Sequence, residues 1–290
     1  MHCARLVALS LLLACGPGPA VPAAPSGAIA VRVATWNVHD LFDEVDRLVP
    51  PGNEDLVPGR GEVETKLDRL AAVLGRVDAD VVLLQEVENA GVLRRLADRA
   101  GYPEARLVEG RDPRGIDVAA LSRLPVLAYE SHLGDLAADG SWLWPRDCVE
   151  LHVEAGGRRL VVVGTHLVSR LSDAGAQRAE QAARLREIAD AAARRWPVAL
   201  VIAGGDLNDL PGAPSLAPVL ASGSWRDPAV ELPGDEAWTW TGGGAHERID
   251  YLLLDAGAAG LTARPWVEGG ADVLAASDHR PAVLDVAFDP

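Results

Sequence analysis

Polar residues that can hold a metal ion or move a proton recur directly after short apolar runs of the chain. The places are Trp36-Asn37, Gln85-Glu86, Thr165-His166, Asp206-Leu207-Asn208, Ile249-Asp250 and Asp278-His279. Any one of them could be an ordinary cap of a turn or helix. A carboxylate that follows four apolar strand residues, however, is costly to leave half-buried unless it is paired or binds a cation. Together, these places offer carboxylates, amides and two imidazoles, which suit metal binding and acid–base chemistry.

Strands and helices are both predicted around these positions. Strand patterns cover residues 28–35, 80–84, 117–121, 126–130, 148–154, 160–164, 198–203, 248–254 and 281–287. Helical spacing covers residues 64–77, 92–100 and 174–195. Because the strands occur both as hairpins and with helices between them, the pattern favours a layered α/β sandwich over a purely parallel sheet. The polar residues fall at the C-terminal ends of these strands or just beyond them.

Composition limits the size and the partners of the protein. The chain has 290 residues, 49% of them hydrophobic, with 29 glycines and 20 prolines. This is enough apolar material for one large domain, and the many turn-forming residues favour a strand-rich α/β protein over a helical bundle. The formal net charge of −15 repels polyanions at long range. That charge argues against a protein that binds DNA over its whole surface.

The start of the chain is predicted to be an export signal. The apolar run over residues 6–14 is too short to span a bilayer and is typical of such signals. It leads into Leu-Leu-Ala-Cys at residues 12–15, which resembles the bacterial lipoprotein signal, whose cysteine is acylated. Ordinary secretory cleavage after Ala20 or Ala24 is the alternative.

The residues after this cysteine are rich in Gly, Pro and Ala, as in a flexible tether. We therefore divide the chain into an export signal (1–14), a lipobox cysteine with its tether (15–28) and one domain (29–290). We expect an exported monomer, lipid-anchored to the cell envelope through its N-terminus, with a secreted or periplasmic protein as the alternative.

The motifs, in their order along the chain, resemble those of the endonuclease/exonuclease/phosphatase superfamily. They are Thr-Trp-Asn, Leu-Gln-Glu, Thr-His-Leu, Gly-Asp-Leu-Asn, Arg-Ile-Asp and Ser-Asp-His. This superfamily includes pancreatic-type deoxyribonucleases, abasic-site endonucleases, sphingomyelinases and inositol-phosphate phosphatases. The likeness runs from about Ala30 to Ala287. It implies a deoxyribonuclease-like four-layer α/β sandwich, in which two sheets are flanked by helices and the site lies at one end.

The resemblance also implies a set of metal ligands. Glu86 is the principal ligand of Mg²⁺ or Mn²⁺, with Ca²⁺ as a further candidate, and Asn37 lies beside it and touches the metal or the phosphate. Asp278 supplies a second carboxylate, directly or through water. Mg²⁺ prefers oxygen ligands and keeps several waters, so one or two carboxylates suffice.

Catalytic roles follow from the same resemblance. His279 activates water or holds the phosphate, and Asp250 orients its ring, as a carboxylate partner does for an imidazole. Asp206 and Asn208 orient the nucleophile and the scissile phosphate. In the abasic-site branch the residue equivalent to Asp206 is often given the role of base, so the division between Asp206 and His279 stays open.

A second carboxylate–imidazole couple is implied by the deoxyribonuclease branch. His166 matches the residue that assists the leaving group, and Asp117 falls where that branch has its acidic partner. The alternative for Asp117 is a simple surface or hairpin carboxylate.

Other residues are ambiguous. Lys66 could reach a phosphate, but we expect it to be a solvated helix residue, and we expect His39 to be an ordinary surface or core histidine. Trp142 and Trp144 alternate in a loop, where they either pack in the core or sit at the rim of the site. Five arginines form either a phosphate-binding rim or surface salt bridges: Arg111, Arg114, Arg146, Arg170 and Arg178.

The resemblance predicts a metal-dependent hydrolase of phosphoester bonds, and three functions compete. We favour an exported endonuclease or phosphodiesterase whose partner is DNA or RNA. The alternative is a phosphatase or phospholipase-type phosphodiesterase that acts on small phosphorylated metabolites or lipid headgroups, which would suit the acidic charge better. A catalytically dead binding module would require the loss of a metal or base residue, and none is missing from the motifs.

Overall fold

The computed structural model describes residues 28–45, 57–172, 174–221, 223–256 and 261–288. The predicted export signal, and all but the last residue of the predicted tether, lie outside the described residues. Among the helices described, none is long and apolar enough to cross a bilayer.

Strands dominate the described chain. In chain order they are β1 (Ile29–Leu41), β2 (Val81–Val87), β3 (Glu104–Leu107), β4 (Asp117–Ser122), β5 (Val126–Ser131), β6 (Cys148–Ala155), β7 (Arg158–His166), β8 (Leu200–Asp206), β9 (Trp225–Arg226), β10 (Trp240–Gly242), β11 (Ala245–Glu247), β12 (Asp250–Asp255), β13 (Thr262–Val267) and β14 (Ala282–Phe288). The helices are α1 (Arg60–Val77), α2 (Ala90–Ala100), α3 (Gly175–Arg195), α4 (Ala217–Leu220), α5 (Gly234–Ala237) and α6 (Ala271–Ala276), with 3₁₀ turns at Pro214–Leu216 and Pro228–Glu231.

Two six-stranded sheets are formed. The first has the order β13-β14-β1-β2-β4-β3, and the second has the order β5-β6-β7-β8-β12-β9. Both are mixed: β1 runs parallel to β2, and β7 runs parallel to β8, while their other neighbours are antiparallel. The strands β10 and β11 form a separate hairpin.

The apolar core is divided into three layers. Inward side chains of the two sheets meet between them, as Val33 and Leu83 do with Val162 and Ile202. The helices α1 and α2 pack on the outer face of the first sheet, and α3 packs on the outer face of the second. The result is a helix–sheet–sheet–helix sandwich, which confirms the predicted four-layer architecture.

The helix α1 begins four residues earlier than its apolar spacing predicts. Its buried residues include Leu67, Leu70 and Leu74, as expected. At its start, however, the backbone N–H of Gly59 donates to the carboxylate of Glu62 at 2.8 Å. This hydrogen bond from the N-cap to Glu62 satisfies a free backbone donor and stabilises the earlier start of the helix.

Candidate active site

Most of the predicted site residues meet at one end of the two sheets. A cavity of about 590 Å³ opens there. The predicted residues that line it are Asn37, Glu86, His166, Asp206, Asn208, Asp278 and His279. Asp250 does not line the cavity itself but supports His279 by a hydrogen bond. Asp117 does neither.

The backbone is strained where it carries these side chains. Five described non-glycine residues have positive φ angles, and four of them lie at the cavity: His39, Asp40, Glu86 and Asn208, at 54°, 55°, 64° and 54°. The pairing of β1 with β2 shifts between Asn37 and Leu41. A β-bulge of this kind turns a side chain away from the regular strand alternation. Here it directs Glu86 into the cavity, whereas its neighbour Gln85 stays fully buried.

Two glycines let three strands of the second sheet approach closely enough to form part of the site. A side chain at Gly204 would collide with the carbonyl oxygen of Tyr251, and one at Gly205 would collide with the carbonyl oxygen of Thr165. Because these two positions carry no side chain, β8 can lie close against β12 and β7. Asp206 is therefore paired in register with Asp250 on one side and with His166 on the other.

An imidazole lies between two buried carboxylates. His279 Nδ1 donates to Asp250 Oδ2 at 2.9 Å, and its Nε2 lies 3.8 Å from Asp206 Oδ2. Burial alone would lower the pKa of His279, but the charge and hydrogen bond of Asp250, with Asp206 and Asp278, raise it to about 10. Burial and the charge of Asp250 raise the pKa of Asp206 to about 7. The three residues thus form one network of charges, in which Asp250 is hydrogen-bonded to His279 as the resemblance implies.

A single amide joins this network to Glu86. Asn37 Nδ2 donates to Glu86 Oε1 at 3.2 Å and to Asp206 Oδ2 at 3.0 Å. The oxygen of Asn37 accepts from the backbone N–H of His39 at 2.9 Å. In this arrangement the amide nitrogen faces the carboxylates, so Asn37 positions Glu86 and Asp206 relative to each other.

Asp40 adds a carboxylate that the motifs do not predict. Its backbone N–H donates to Glu86 Oε2 at 3.0 Å. Burial, followed by the charge of Glu86, raises the pKa of Asp40 to about 6. Arg114 lies between the two acids without a close contact, 3.9 Å from Glu86 and 4.0 Å from Asp40.

The carboxylate oxygens around this cavity fit a hard divalent cation. Glu86, Asp40, Asp206 and Asp278 offer carboxylate oxygens around one cavity, the ligand type that Mg²⁺ and Mn²⁺ prefer. Asp206, Asp250 and His279 also bring potential ligand atoms within 4.8 Å of one another. In that trio, however, His279 and Asp250 are already hydrogen-bonded to each other. The oxygen-rich side of the cavity, around Glu86, is therefore the better cation site.

Asp278 lies at the edge of this side and is held by two donors. His39 Nδ1 donates to its Oδ1 at 2.5 Å, and Trp240 Nε1 donates to its Oδ2 at 3.0 Å. The prediction that His39 is an ordinary histidine is wrong, because its ring lines the cavity and orients a predicted metal ligand.

The predicted couple between Asp117 and His166 is not formed. Asp117 accepts from the backbone N–H of Gly110 at 2.7 Å, and burial raises its pKa to about 7. Asp117 begins β4 in the first sheet, whereas His166 ends β7 in the second. The acidic neighbour of His166 is instead Asp206, 3.4 Å from its Nε2.

Arg146 takes the place predicted for an acid beside His166. Its Nη1 lies 2.9 and 2.8 Å from the two ring nitrogens of His166. Burial and this guanidinium hold the pKa of His166 well below its usual value. His166 is therefore a neutral imidazole between Arg146 and Asp206. Its predicted assistance to the leaving group stays a prediction.

Three of the five candidate arginines reach the cavity: Arg114, Arg146 and Arg170. Arg170 is paired with Glu247 of β11. Arg178 forms a salt bridge with Asp209 at 3.0 Å, as in the alternative interpretation. Asn208 donates from its backbone to Asp206 Oδ1 at 2.9 Å and from its side chain to the carbonyl of Leu167 at 2.9 Å.

Lys66 is a structural part of the site, not the solvated residue that was expected. From α1, its Nζ donates to the carbonyl oxygens of His39 at 2.9 Å and Ala276 at 2.5 Å. It thus ties the strained turn after Asn37 to the segment that precedes Asp278. The available signal was composition, since Lys66 is the one lysine in a chain with 27 basic residues.

The model of the Endonuclease/Exonuclease/phosphatase family matches residues 34–279. The chain belongs to this family. It is therefore a hydrolase of phosphoester bonds, and enzymes of this fold use a divalent metal ion. No curated protein matches the chain.

Solved structures of the family have the same fold. The human Nocturnin catalytic domain with bound sulfate has a TM-score of 0.66 at 18% identity, over 90% of this chain and 94% of that chain. Truncated TDP2 from Caenorhabditis elegans has a TM-score of 0.65 at 20% identity, over 89% and 98%. Sphingomyelinase C from Streptomyces griseocarneus has a TM-score of 0.58 at 23% identity, over 88% and 99%.

Glu86→Gln should weaken binding of a divalent cation at least tenfold or so, because it removes the charge of the central carboxylate and keeps its shape. Isothermal titration calorimetry of the metal-free protein with Mn²⁺ measures this affinity without substrate. Glu109→Gln changes an exposed glutamate instead and serves as control. Equal Mn²⁺ affinity of wild type and Glu86→Gln would place the ligand elsewhere.

Lys66→Met should reduce turnover by about an order of magnitude, because two carbonyls that hold the site lose a charged donor. Initial rates with bis-p-nitrophenyl phosphate measure this, and urea denaturation reports on folding. Arg69→Met is the matched control, since Arg69 lies on the same helix and donates to the neighbouring carbonyl of Ala275 at 3.1 Å. Wild-type turnover of Lys66→Met would show that the strained turn holds without it.

Proposed function

We propose that this family member is an exported phosphodiesterase that cleaves DNA or RNA with Mg²⁺ or Mn²⁺. The observation that carries the proposal is the placement of Arg114, Arg146 and Arg170 along one open cavity of an acidic protein. A nucleic acid brings further phosphates beside the scissile one. Arginine suits them because its planar fork binds phosphate oxygens through two hydrogen bonds.

Different residues of the cavity hold the cation, bind the phosphate and accept the proton during in-line hydrolysis. Glu86 would hold a divalent cation, which would supply charge neutralisation at the phosphate and make the attacking water more acidic. Arg114 and Arg146 hold the non-bridging oxygens, where negative charge accumulates. The proton of the attacking water passes to the coupled group of Asp206, His279 and Asp250. Because the charges of Asp206 and His279 shift each other's pKa, the base is this pair and not one member of it.

Orientation comes from neighbouring amides and imidazoles. Asn37 keeps Glu86 and Asp206 in register across the two sheets. Asn208 fixes the rotamer of Asp206 through its backbone N–H. His166 accepts from Arg146 and lies against Asp206, so it positions a phosphate-binding group and the proton network together.

A substrate panel tests the proposal. The mature domain is incubated with supercoiled plasmid, a single-stranded RNA, sphingomyelin vesicles, inositol phosphates and bis-p-nitrophenyl phosphate, each with Mg²⁺, Mn²⁺, Ca²⁺ or EDTA. We expect nicking of plasmid or cleavage of RNA that EDTA abolishes. Cleavage confined to sphingomyelin or to small esters would overturn the choice of nucleic acid but leave the hydrolase in place.

His279→Ala should lower kcat by about 10² to 10⁴, the usual contribution of a positioned acid–base group. Asp250→Asn should act in the same direction, because it leaves the imidazole without its orienting charge. His246→Ala is the matched control, since His246 is exposed on β11 and stacks on Trp238. Near-wild-type kcat for His279→Ala, with an unchanged circular dichroism spectrum, would remove the residue from the mechanism.

We also propose that the protein is anchored to the cell envelope through Cys15. The proposal rests on three features of the sequence: the apolar run over residues 6–14, the Leu-Leu-Ala-Cys at residues 12–15, and the Gly-, Pro- and Ala-rich residues that follow. Cys15→Ala should move the protein from the membrane fraction to the soluble envelope fraction or the medium. Fractionation of expressing bacteria with an antibody measures this, and Cys3→Ala is the control. An unchanged distribution of Cys15→Ala would favour ordinary secretion.

A further inference from the structure

One large aromatic side chain remains exposed on the loop that leads to Pro145 and Arg146 of the cavity. All eight tryptophans lie in the described part of the chain, and Trp142 is the one classed as exposed, with 51% of its surface accessible. Its neighbour Trp144, which alternates with it in sequence, is fully buried. Tryptophan is enriched at recognition surfaces, because its large ring offers apolar contact area and its N–H a polar handle.

Arg111 covers one side of this indole. Its guanidinium carbon lies 4.0 Å from the centroid of the Trp142 ring. The arginine is held in place by its Nη1, which donates to the carbonyl of Leu133 at 2.7 Å, and by its backbone N–H, which donates to the carbonyl of Pro145 at 2.6 Å. The Arg111–Trp142 pair is therefore a fixed platform with a planar cation and a planar ring.

The loop that carries Trp142 is also braced. Leu136 and Trp142 form an isolated antiparallel bridge. Arg184 of α3 binds the carboxylate of Asp135 at 2.8 Å, and Glu180 of α3 accepts from the backbone N–H of Ala138 at 2.6 Å. Since both ends of the loop are attached to α3 or to each other, the platform is ordered before any ligand arrives.

Two short chain segments lead from the platform to the phosphate end of the cavity. One runs from Arg111 to Arg114 and the other from Trp142 to Arg146, joined by the bond from Arg111 to Pro145. Four residues of extended chain span at most about 14 Å. At about 3.4 Å per nucleotide along a strand, this places the platform within about four nucleotides of the scissile phosphate.

We propose that Trp142 and Arg111 form a subsite that stacks one nucleobase of a nucleic-acid strand, upstream or downstream of the cleaved bond. The inference rests on the proposed function and makes it more specific. Stacking on an aromatic face is tolerant of base identity, and a guanidinium beside it adds a contact for the sugar–phosphate backbone. The enzyme would then prefer substrates of several nucleotides over dinucleotides.

The test compares kinetic constants on substrates of different length. Trp142→Ala should raise KM for an eight-nucleotide single strand about tenfold, with kcat little changed, because one stacked base is lost. The same variant should leave KM for a dinucleotide and for bis-p-nitrophenyl phosphate unchanged, since neither reaches the platform. Trp142→Phe should restore most of the affinity, and Arg111→Gln should raise KM in the same direction.

Leu136→Ala is the matched control, because Leu136 is the other large apolar residue exposed on this loop, at 58%. Stacking requires that Leu136→Ala leave KM for the eight-mer unchanged. If wild type cleaves the eight-mer and Trp142→Ala has the same KM, the subsite is overturned while the nuclease function stands. If wild type cleaves no nucleic acid, and both variants lose binding to sphingomyelin–phosphatidylcholine vesicles, the loop contacts lipid and both proposals fall.

Discussion

Like charges held close together are the condition on which this site depends. Asp206 and Asp250 are opposite each other on adjacent strands, and Glu86 is joined to Asp206 through a single amide. Away from water the repulsion between such carboxylates is strong. The protein offsets part of it by placing His279 between the two aspartates. Burial, together with the repulsion that remains, raises the pKa of Asp206 to about 7 and that of Asp40 to about 6.

The same end of the molecule stores backbone strain. Left-handed conformations at residues such as Asp40 and Glu86 cost of the order of 1–3 kcal/mol each. They persist because the surrounding elements leave the chain no alternative: the bulge in β1 and β2, Lys66 beneath the turn, and Ser277 Oγ, which donates to the carbonyl of Asn37 at 2.7 Å. Burial of apolar side chains in the three layers offsets the free-energy cost of these conformations. Stability and chemistry are thus assigned to different parts of one sandwich.

What could be predicted from the sequence was what is encoded locally. A polar residue at the end of an apolar run marks a strand end, as Glu86 and Asp206 do. The family motifs implied that these residues and His279 meet at one end of the sandwich, and they line one cavity there. The partner of a buried side chain is decided by which strands become neighbours, and this is not written near either residue. The pairing of Asp117 with His166 failed for that reason: Asp117 accepts from the backbone N–H of Gly110, and the neighbour of His166 is Arg146.

Contacts between distant segments were missed in the same way. His39 and Asp40 form a polar pair between the apolar residues Val38 and Leu41, a break in the strand pattern that could have indicated a bulge. The hairpin of β10 and β11 brings Trp240 to Asp278, but its three-residue strands around a run of glycines give almost no periodic signal. Only the Gly-rich turn of this hairpin could be predicted from the sequence.

The acidity of the protein and its arginine-lined cavity are parts of one electrostatic design. At physiological salt the field of the acidic surface is screened over about 8 Å, so a phosphate at the cavity responds mainly to the groups it touches. Arg114 lies within 4.0 Å of Asp40 and Glu86, and Arg146 lies 3.2 Å from Asp112. A phosphate must compete with these acids for the arginines. Under the proposed function, a cation that neutralises Glu86 would reduce its attraction for Arg114, so cation binding and phosphate binding would favour each other by linkage. Such an acidic site would discriminate against polyanions until its metal is bound, and would then bind them only where the reaction can occur.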